Sequence, residues 1–164
     1  MQTVHETSEQ PVARPKPVIL AFLQNPWFKE GTPERYIERY RHDRDFHRRV
    51  LYLSRTGQAL HRAFGEQLYQ HVVWENASPF HGDHRGHVSP ADPAHMTAQI
   101  EKIMPNVVLL FGREAQAGWK KVYLRPSTTI KMVVLEAPYP MARGSVIDHL
   151  KNIAREVRSI YDKE

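Results

Sequence analysis

Two asparagines stand where apolar runs stop. Asn25 follows "PVILAFL" (Pro17 to Leu23) within "LQNPWF", and Asn76 closes "HVVWEN" (His71 to Asn76). An asparagine side chain carries one acceptor and two donors, enough to read the edge of a nucleobase or to hold a water, yet it is a poor general base. The same residue type also caps turns and loops, so each amide has a purely architectural alternative.

The runs that end in these amides are short, β-branched and apolar on both alternations, as expected of strands buried on both faces. "NVVLLFG" (Asn106 to Gly112) and "KMVVLEA" (Lys131 to Ala137) repeat the character. Helical patterns separate the four. "TPERYIERYRHDRDFHRRVLYL" starts at Thr32 and Pro33, and a second helix begins near Ser54 or Thr56 and buries Leu60, Phe64 and Leu68. Asp92-Pro93 places an N-cap before a proline at the first helical position, followed by Met96, Ile100, Ile103 and Met104 until Pro105. A last helix from about Ser145 aligns Val146, Leu150, Ile153, Val157 and Ile160 on one stripe. Strands alternating with helices predict an α/β protein, a three-layer α/β/α sandwich around a four-stranded, mainly parallel sheet. No internal repeat or linker is evident. Residues 1–16 lack apolar periodicity and read as a loosely tethered leader, with one domain over 17–164. In open parallel sheets ligands bind beyond the carboxyl ends of the strands, so the site is expected among "LQNPWF", "ENASPF", "FGREA" and "EAPYPMAR".

Composition narrows the chemistry. The chain has no cysteine, which excludes disulfides, thiolate zinc sites and cysteine-ligated iron–sulfur clusters. No apolar run approaches the ~18 residues of a membrane span and no secretory signal is evident, so a cytoplasmic protein without a membrane partner is expected. Lys and Arg outnumber Asp and Glu by 23 to 18, for a net charge of +5, and ten histidines add positive potential below neutral pH. That balance is compatible with a polyanion such as DNA.

Taken in order, these segments resemble the uracil-DNA glycosylase superfamily. "LQNPWF" is similar to the Gly-Gln-Asp-Pro-Tyr motif of the main uracil glycosylases and to the Asn-Pro-Gly form of the mismatch-specific and single-strand-selective members. "YLSRTGQAL" (Tyr52 to Leu60) resembles Phe-Val-Gly-Arg-Ala-Gly-Gln-Leu-Leu of the thermophilic iron–sulfur members. "VVWENASPF" resembles the strand whose last Asn reads the base, "NVVLLFGREA" the central strand with its Gly-x-x-Ala turn, and "EAPYPMAR" the His-Pro loop. The resemblance spans Pro17 to the final helix and rests on five ordered motifs.

It implies an α/β/α fold and hydrolysis of the N-glycosidic bond of uracil or another modified base flipped out of DNA, without metal, organic cofactor or Schiff base. It implies that Asn25 positions the attacking water and that Asn76 holds the base. Tyr52 would stack on that base, Trp27 would wall its C5 edge, and Gln24 would present its backbone. Ser54 and Arg55 would meet phosphate, and Pro138 to Arg143 would enter the minor groove with Tyr139 or Met141 as the wedge. A monomer is expected. The pattern departs from the family at Leu23, where a glycine is expected, at Asn25, where the main members carry a carboxylate, and at Ala137, where they carry a histidine. Those departures leave a second expectation, a catalytically weak or inactive member that binds DNA or a nucleobase-like ligand.

Two other signals have plainer readings. "FHGDHRGHVSPADPAH" collects His81, Asp83, His84, His87 and His95, suitable donors for a divalent ion, but Gly82 and Gly86 and an irregular spacing favour a solvated loop, with Arg85 near phosphate. Arg35, Arg39, Arg41, Arg44, Arg48 and Arg49 alternate with Glu34, Glu38, Asp43 and Asp45, which favours pairing along a solvated helix face over phosphate contact.

Overall fold

The computed structural model describes residues 15–26, 28–82, 88–129, 131–141 and 146–163. Four strands, β1 (Ile19–Leu23), β2 (Val73–Asn76), β3 (Val107–Phe111) and β4 (Val133–Ala137), form one sheet in the order β2-β1-β3-β4, and every pairing is parallel. Each strand lies inside an apolar run read from the sequence. β1 and β3 are buried along their whole length, which is why they carry no polar alternation.

Among the described residues the strands alternate with helices α1 (Glu34–His42), α2 (Arg44–Leu53), α3 (Arg55–Phe64), α4 (Glu66–His71), α5 (Pro93–Ile103), α6 (Gly112–Trp119), α7 (Pro126–Thr129) and α8 (Val146–Tyr161). Successive side chains of a strand point to opposite faces. Ile19, Ala21 and Leu23 therefore join Leu60, Phe64, Leu150 and Val157 in one core, while Leu20 and Phe22 join Met96, Ile100 and Ala115 in another. Helices on both faces of a parallel sheet give the three-layer α/β/α arrangement.

The expected long basic helix is two helices. Asp43 ends α1 and caps α2, its side chain accepting from Phe46 N at 3.0 Å. The break swings α2 back against α1 and assembles a third apolar cluster of Phe28, Ile37 and Tyr40, packed by Phe46 and Val50. Three of the arginines on this stretch pair locally with acids, Arg39 with Asp43 at 3.6 Å, Arg41 with Glu38 at 3.0 Å and Arg48 with Asp45 at 3.3 Å. The second helix is also divided, because Gly65, at φ +80°, separates α3 from α4, where Leu68 is buried. Asp92 caps α5 as its sequence predicts, accepting from Ala94 N at 3.0 Å and His95 N at 3.3 Å, with Pro93 at the first position.

Among the described residues no helix is long and apolar enough to cross a membrane. The leader expected over 1–16 mostly lies outside the described residues, but Lys16 is tied down: its Nζ donates to Tyr161 O at 3.1 Å.

Candidate functional site

The chain leaves β1 toward β2 on one side and, after β2, crosses to β3 on the other, so loops diverge above the carboxyl end of β1. Such a switch point opens a crevice. The strand register fixes what enters it. Leu23 lies opposite Asn76, and Asn25 follows two residues beyond Leu23. The two asparagines thus belong to one edge, and both line one cleft of roughly 460 Å³. Gln24, Ser54 and Tyr139 line it too, with Leu23, Pro26, Phe28, Lys29, Tyr36 and Tyr40.

Asn76 is 6% exposed, and its Nδ2 donates to Tyr40 Oη at 2.9 Å. No described residue donates to its Oδ1, which leaves that acceptor for a cleft ligand. Behind it, Tyr40 Oη lies 3.2 Å from His47 Nε2, and the two rings stack with centroids 4.2 Å apart. On the opposite face of β2, Glu75 meets His95 of α5, Oε1 to Nε2 at 3.5 Å, and also accepts from Asn76 N at 3.0 Å. A chain of buried and partly buried polar groups therefore supports the strand end that carries Asn76.

Asn25 is engaged differently. Its Oδ1 accepts from Ser89 N at 2.9 Å and its Nδ2 donates to Pro26 O at 3.1 Å. It fastens the loop before α5 to the end of β1, so the architectural role foreseen for this residue type is present at Asn25. Backbone bonds extend the same wall: Gly82 N donates to Pro26 O at 2.8 Å and Phe28 N to Gly82 O at 2.9 Å.

Ser54 is the N-cap of α3. Its hydroxyl donates to Leu51 O at 2.6 Å and accepts from Gly57 N at 3.0 Å, so both of its hydrogen-bonding functions serve the α2–α3 corner at the cleft rim. Tyr139 is held from below by Gly112, whose φ is +87° and at which an added Cβ would lie 3.1 Å from Tyr139 Cβ. Pro138 precedes it half-buried, and Met141 is 45% exposed.

Tyr52 does not line this cleft. Val50 and Leu51 of α2 face the cleft, and at about 100° per residue Tyr52 points elsewhere. It lines a second hollow with Arg48, Arg49, His61 and Tyr69, its ring 5.1 Å from that of His61. Arg55 is exposed at the first turn of α3 and does not line the cleft. Trp27 and Arg143 lie outside the described residues, as do Asp83, His84, Arg85 and His87. The remaining members of the histidine segment are apart in role: His81 Nδ1 is 3.1 Å from an Arg41 nitrogen, and His95 faces Glu75. No group of three or more metal-ligating side chains occurs among the described residues.

Tyr40, His47 and Glu75 escaped the sequence reading, and His95 entered it only as a member of the histidine-rich segment. Tyr36 and Tyr40, four apart on one face of a helix with Ile37, gave a visible aromatic stripe. Nothing in the sequence announced that Asp43 would fold His47 back onto Tyr40.

Burial holds the His47 imidazole below its usual pKa of 6.5; the Glu75 charge opposes this and Arg44 adds to it. Burial alone would raise the Glu75 carboxyl above 4.5, but the His95 imidazole, the Asn76 N–H and His47 outweigh it and hold it lower. Burial raises the Tyr40 phenol well above its usual 10.0, so it stays protonated. Both depressed values have one consequence for stability. The unfolded chain binds these protons more readily than the folded one, so stability is full above pH 6.5 and falls in acid, first through His47 and then, below pH 4.5, through Glu75. Urea midpoints measured from pH 8 to pH 4 should trace this decline, and His47→Gln should remove its upper part. A midpoint unchanged between pH 7 and pH 5 in the wild type would contradict the burial of a neutral His47.

No family model matches the chain, and no curated protein or solved structure matches it.

Proposed function

We propose that this chain is a DNA glycosylase of the uracil-DNA glycosylase type, a monomeric cytoplasmic protein that takes a flipped, modified base into the cleft and hydrolyses its N-glycosidic bond. One observation carries the reading: Asn25 and Asn76, from neighbouring strands, line the same cleft as Tyr139 at the switch point of the sheet. The size suits a nucleobase, and Asn76, 6% exposed, offers an acceptor that no described residue occupies, where a hydrogen bond discriminates strongly. Extruding a base costs a few kcal/mol of unstacking, which an inserted side chain such as Tyr139 or Met141 helps to offset. The net charge of +5 supports attraction to the backbone of DNA.

Oligonucleotides containing uracil, hypoxanthine, xanthine or hydroxymethyluracil test the reaction, and strand scission at an abasic site after alkali reports it. No abasic product from any of them with enzyme in excess would refute the hydrolytic form. Asn76→Ala should weaken binding to the modified base by roughly tenfold or more, since a base-edge hydrogen-bond pair contributes ~1–3 kcal/mol of discrimination. Unchanged affinity in a competition assay would remove Asn76 from base recognition.

A second reading is favoured by the bonds of Asn25. With Oδ1 accepting from Ser89 N, Nδ2 donating to Pro26 O, and no carboxylate among the described residues lining the cleft, the cleft is better equipped to hold a base than to activate water. A binding protein of the same fold would show tight, salt-sensitive association with modified DNA and no turnover.

A further inference from the structure

Asn76 can face the cleft in two ways. With Nδ2 toward Tyr40 its carbonyl oxygen meets the ligand; with the amide reversed, the ligand meets a nitrogen that only donates. The hydroxyl between Asn76 and His47 makes this choice dependent on a proton. Tyr40 Oη lies 2.9 Å from Asn76 Nδ2 and 3.2 Å from His47 Nε2, and both contacts are buried. A phenol has one hydrogen. When it points to an unprotonated His47 Nε2, the Tyr40 oxygen can only accept from the other side, and Asn76 must present Nδ2. When Nε2 carries a hydrogen and donates to that oxygen, the phenolic hydrogen is free to turn to Asn76, which is best met by Oδ1.

We propose that Tyr40 and His47 are positioning residues that couple the orientation of the Asn76 amide to the proton on His47. An unprotonated Nε2 leaves Oδ1 toward the cleft as an acceptor. An imidazolium reverses the chain and turns Nδ2 toward the cleft. The consequence for recognition rests on the glycosylase-type reading above: a base that presents a ring N–H beside a carbonyl, as uracil and hypoxanthine do, pairs with the first arrangement. Cytosine and adenine present an acceptor at the corresponding ring nitrogen and meet Oδ1 only through the neighbouring exocyclic amine.

The surroundings allow such a switch to remain local. Tyr40 is pinned by its ring, edge to face with Phe28 at 5.2 Å and stacked on His47, so its hydroxyl can change direction without moving the ring. The charged groups that act on His47 are Glu75, across from β2, and Arg44, one turn earlier on α2, which oppose one another. His95, from α5, faces Glu75 and not His47. Asn76 Nδ2 faces Tyr40 Oη, so the acceptor arrangement is the resting one, with the hydrogen of a neutral His47 on Nδ1; burial holds the imidazole below its usual pKa, so the reversal belongs to the acid range.

Tyr40→Phe separates positioning from folding, because it keeps the ring contacts and removes only the hydroxyl. In nitrogen-detected NMR of the full chain, His47 Nε2 should be unprotonated near pH 7.5, and the Asn76 side-chain resonances should shift on acidification with the same midpoint as the His47 ring. In Tyr40→Phe the His47 ring should still titrate while the Asn76 resonances stop following it. A proton on Nε2 at pH 7.5, Asn76 resonances indifferent to His47 in the wild type, or unchanged coupling in Tyr40→Phe would each overturn the proposal. This readout needs no ligand. Competition binding with otherwise identical uracil and cytosine oligonucleotides adds the functional arm: a wild-type preference of about tenfold should collapse in Tyr40→Phe while the backbone NMR spectrum shows the fold retained. A preference retained in full would overturn the positioning role. Binding of neither oligonucleotide by the wild type would sink the base-binding reading, and the NMR result would still decide the coupling.

Discussion

Gly57→Ala is expected to destabilise the fold by ~3 kcal/mol, at the upper end of what overpacking usually costs. A Cβ built on Gly57 would lie 1.8 Å from Leu51 O, 2.4 Å from Leu51 C and 2.8 Å from Tyr52 N. All three atoms are backbone, so no rotamer change relieves the clash and the corner between α2 and α3 must open. Against a total stability of ~5–15 kcal/mol this is a large fraction, and a melting temperature lower by roughly 6–12 °C should accompany it. The damage should reach the cleft, because Leu51, Ser54 and Thr56 all line it and flank this corner. Gly57→Ser should be at least as harmful, and Gln58→Ala, at an exposed position one residue on, should be nearly neutral. Chemical denaturation that places Gly57→Ala within ~0.5 kcal/mol of the wild type would mean that the two helices are not in such close approach.

The same corner explains what the sequence could and could not say. "SRTGQ" stood out as a motif, and its serine and glycine do have demanding roles. Those roles are structural: Ser54 caps α3, and Gly57 lets one helix start against the end of another. A motif marks where the backbone is constrained, and a tight corner and a phosphate-binding turn ask for the same small residues. Strands, by contrast, were legible because burial on both faces forces an uninterrupted apolar run, and few other structures need one. The parallel order followed from the helices between them. Asn25 and Asn76 were legible as edge residues for the same reason, since each marks where such a run stops. The support beneath Asn76 was not, because it depends on a tertiary event: Asp43 breaks a continuous helical pattern, and only then does His47 reach Tyr40. The misplacement of Tyr52 has a related origin. It lies within one turn of Leu51 and Ser54 in sequence, but the α2 face that meets the cleft is narrow, and a single step of about 100° takes a side chain off it.

Asn25→Asp should be the most informative change at the cleft, and under the glycosylase reading it should raise the rate of uracil excision by roughly 100-fold, the lower end of general-base contributions. The substitution restores a group that can take a proton from water at the end of β1, where the amide can only orient it. It is also conservative in structure. An aspartate oxygen can keep the bond from Ser89 N, now assisted by charge, and what is lost is the short-range donation to Pro26 O, at a cost of ~1 kcal/mol. Facing Pro26 O, the new carboxyl gains stability when protonated; facing Ser89 N, it gains when ionised. The rate should therefore climb with pH along an acid limb that reports the ionisation of this one group, and the wild type should lack that limb because an amide does not titrate there. The three outcomes separate the two readings of the cleft. Faster excision with a new acid limb supports a hydrolytic site weakened by an amide. Excision at the wild-type rate and without the limb excludes Asn25 from the water's position. Undiminished binding of uracil-containing DNA, with no abasic product from either protein, identifies a base-holding cleft in which Asn25 serves the loop it fastens.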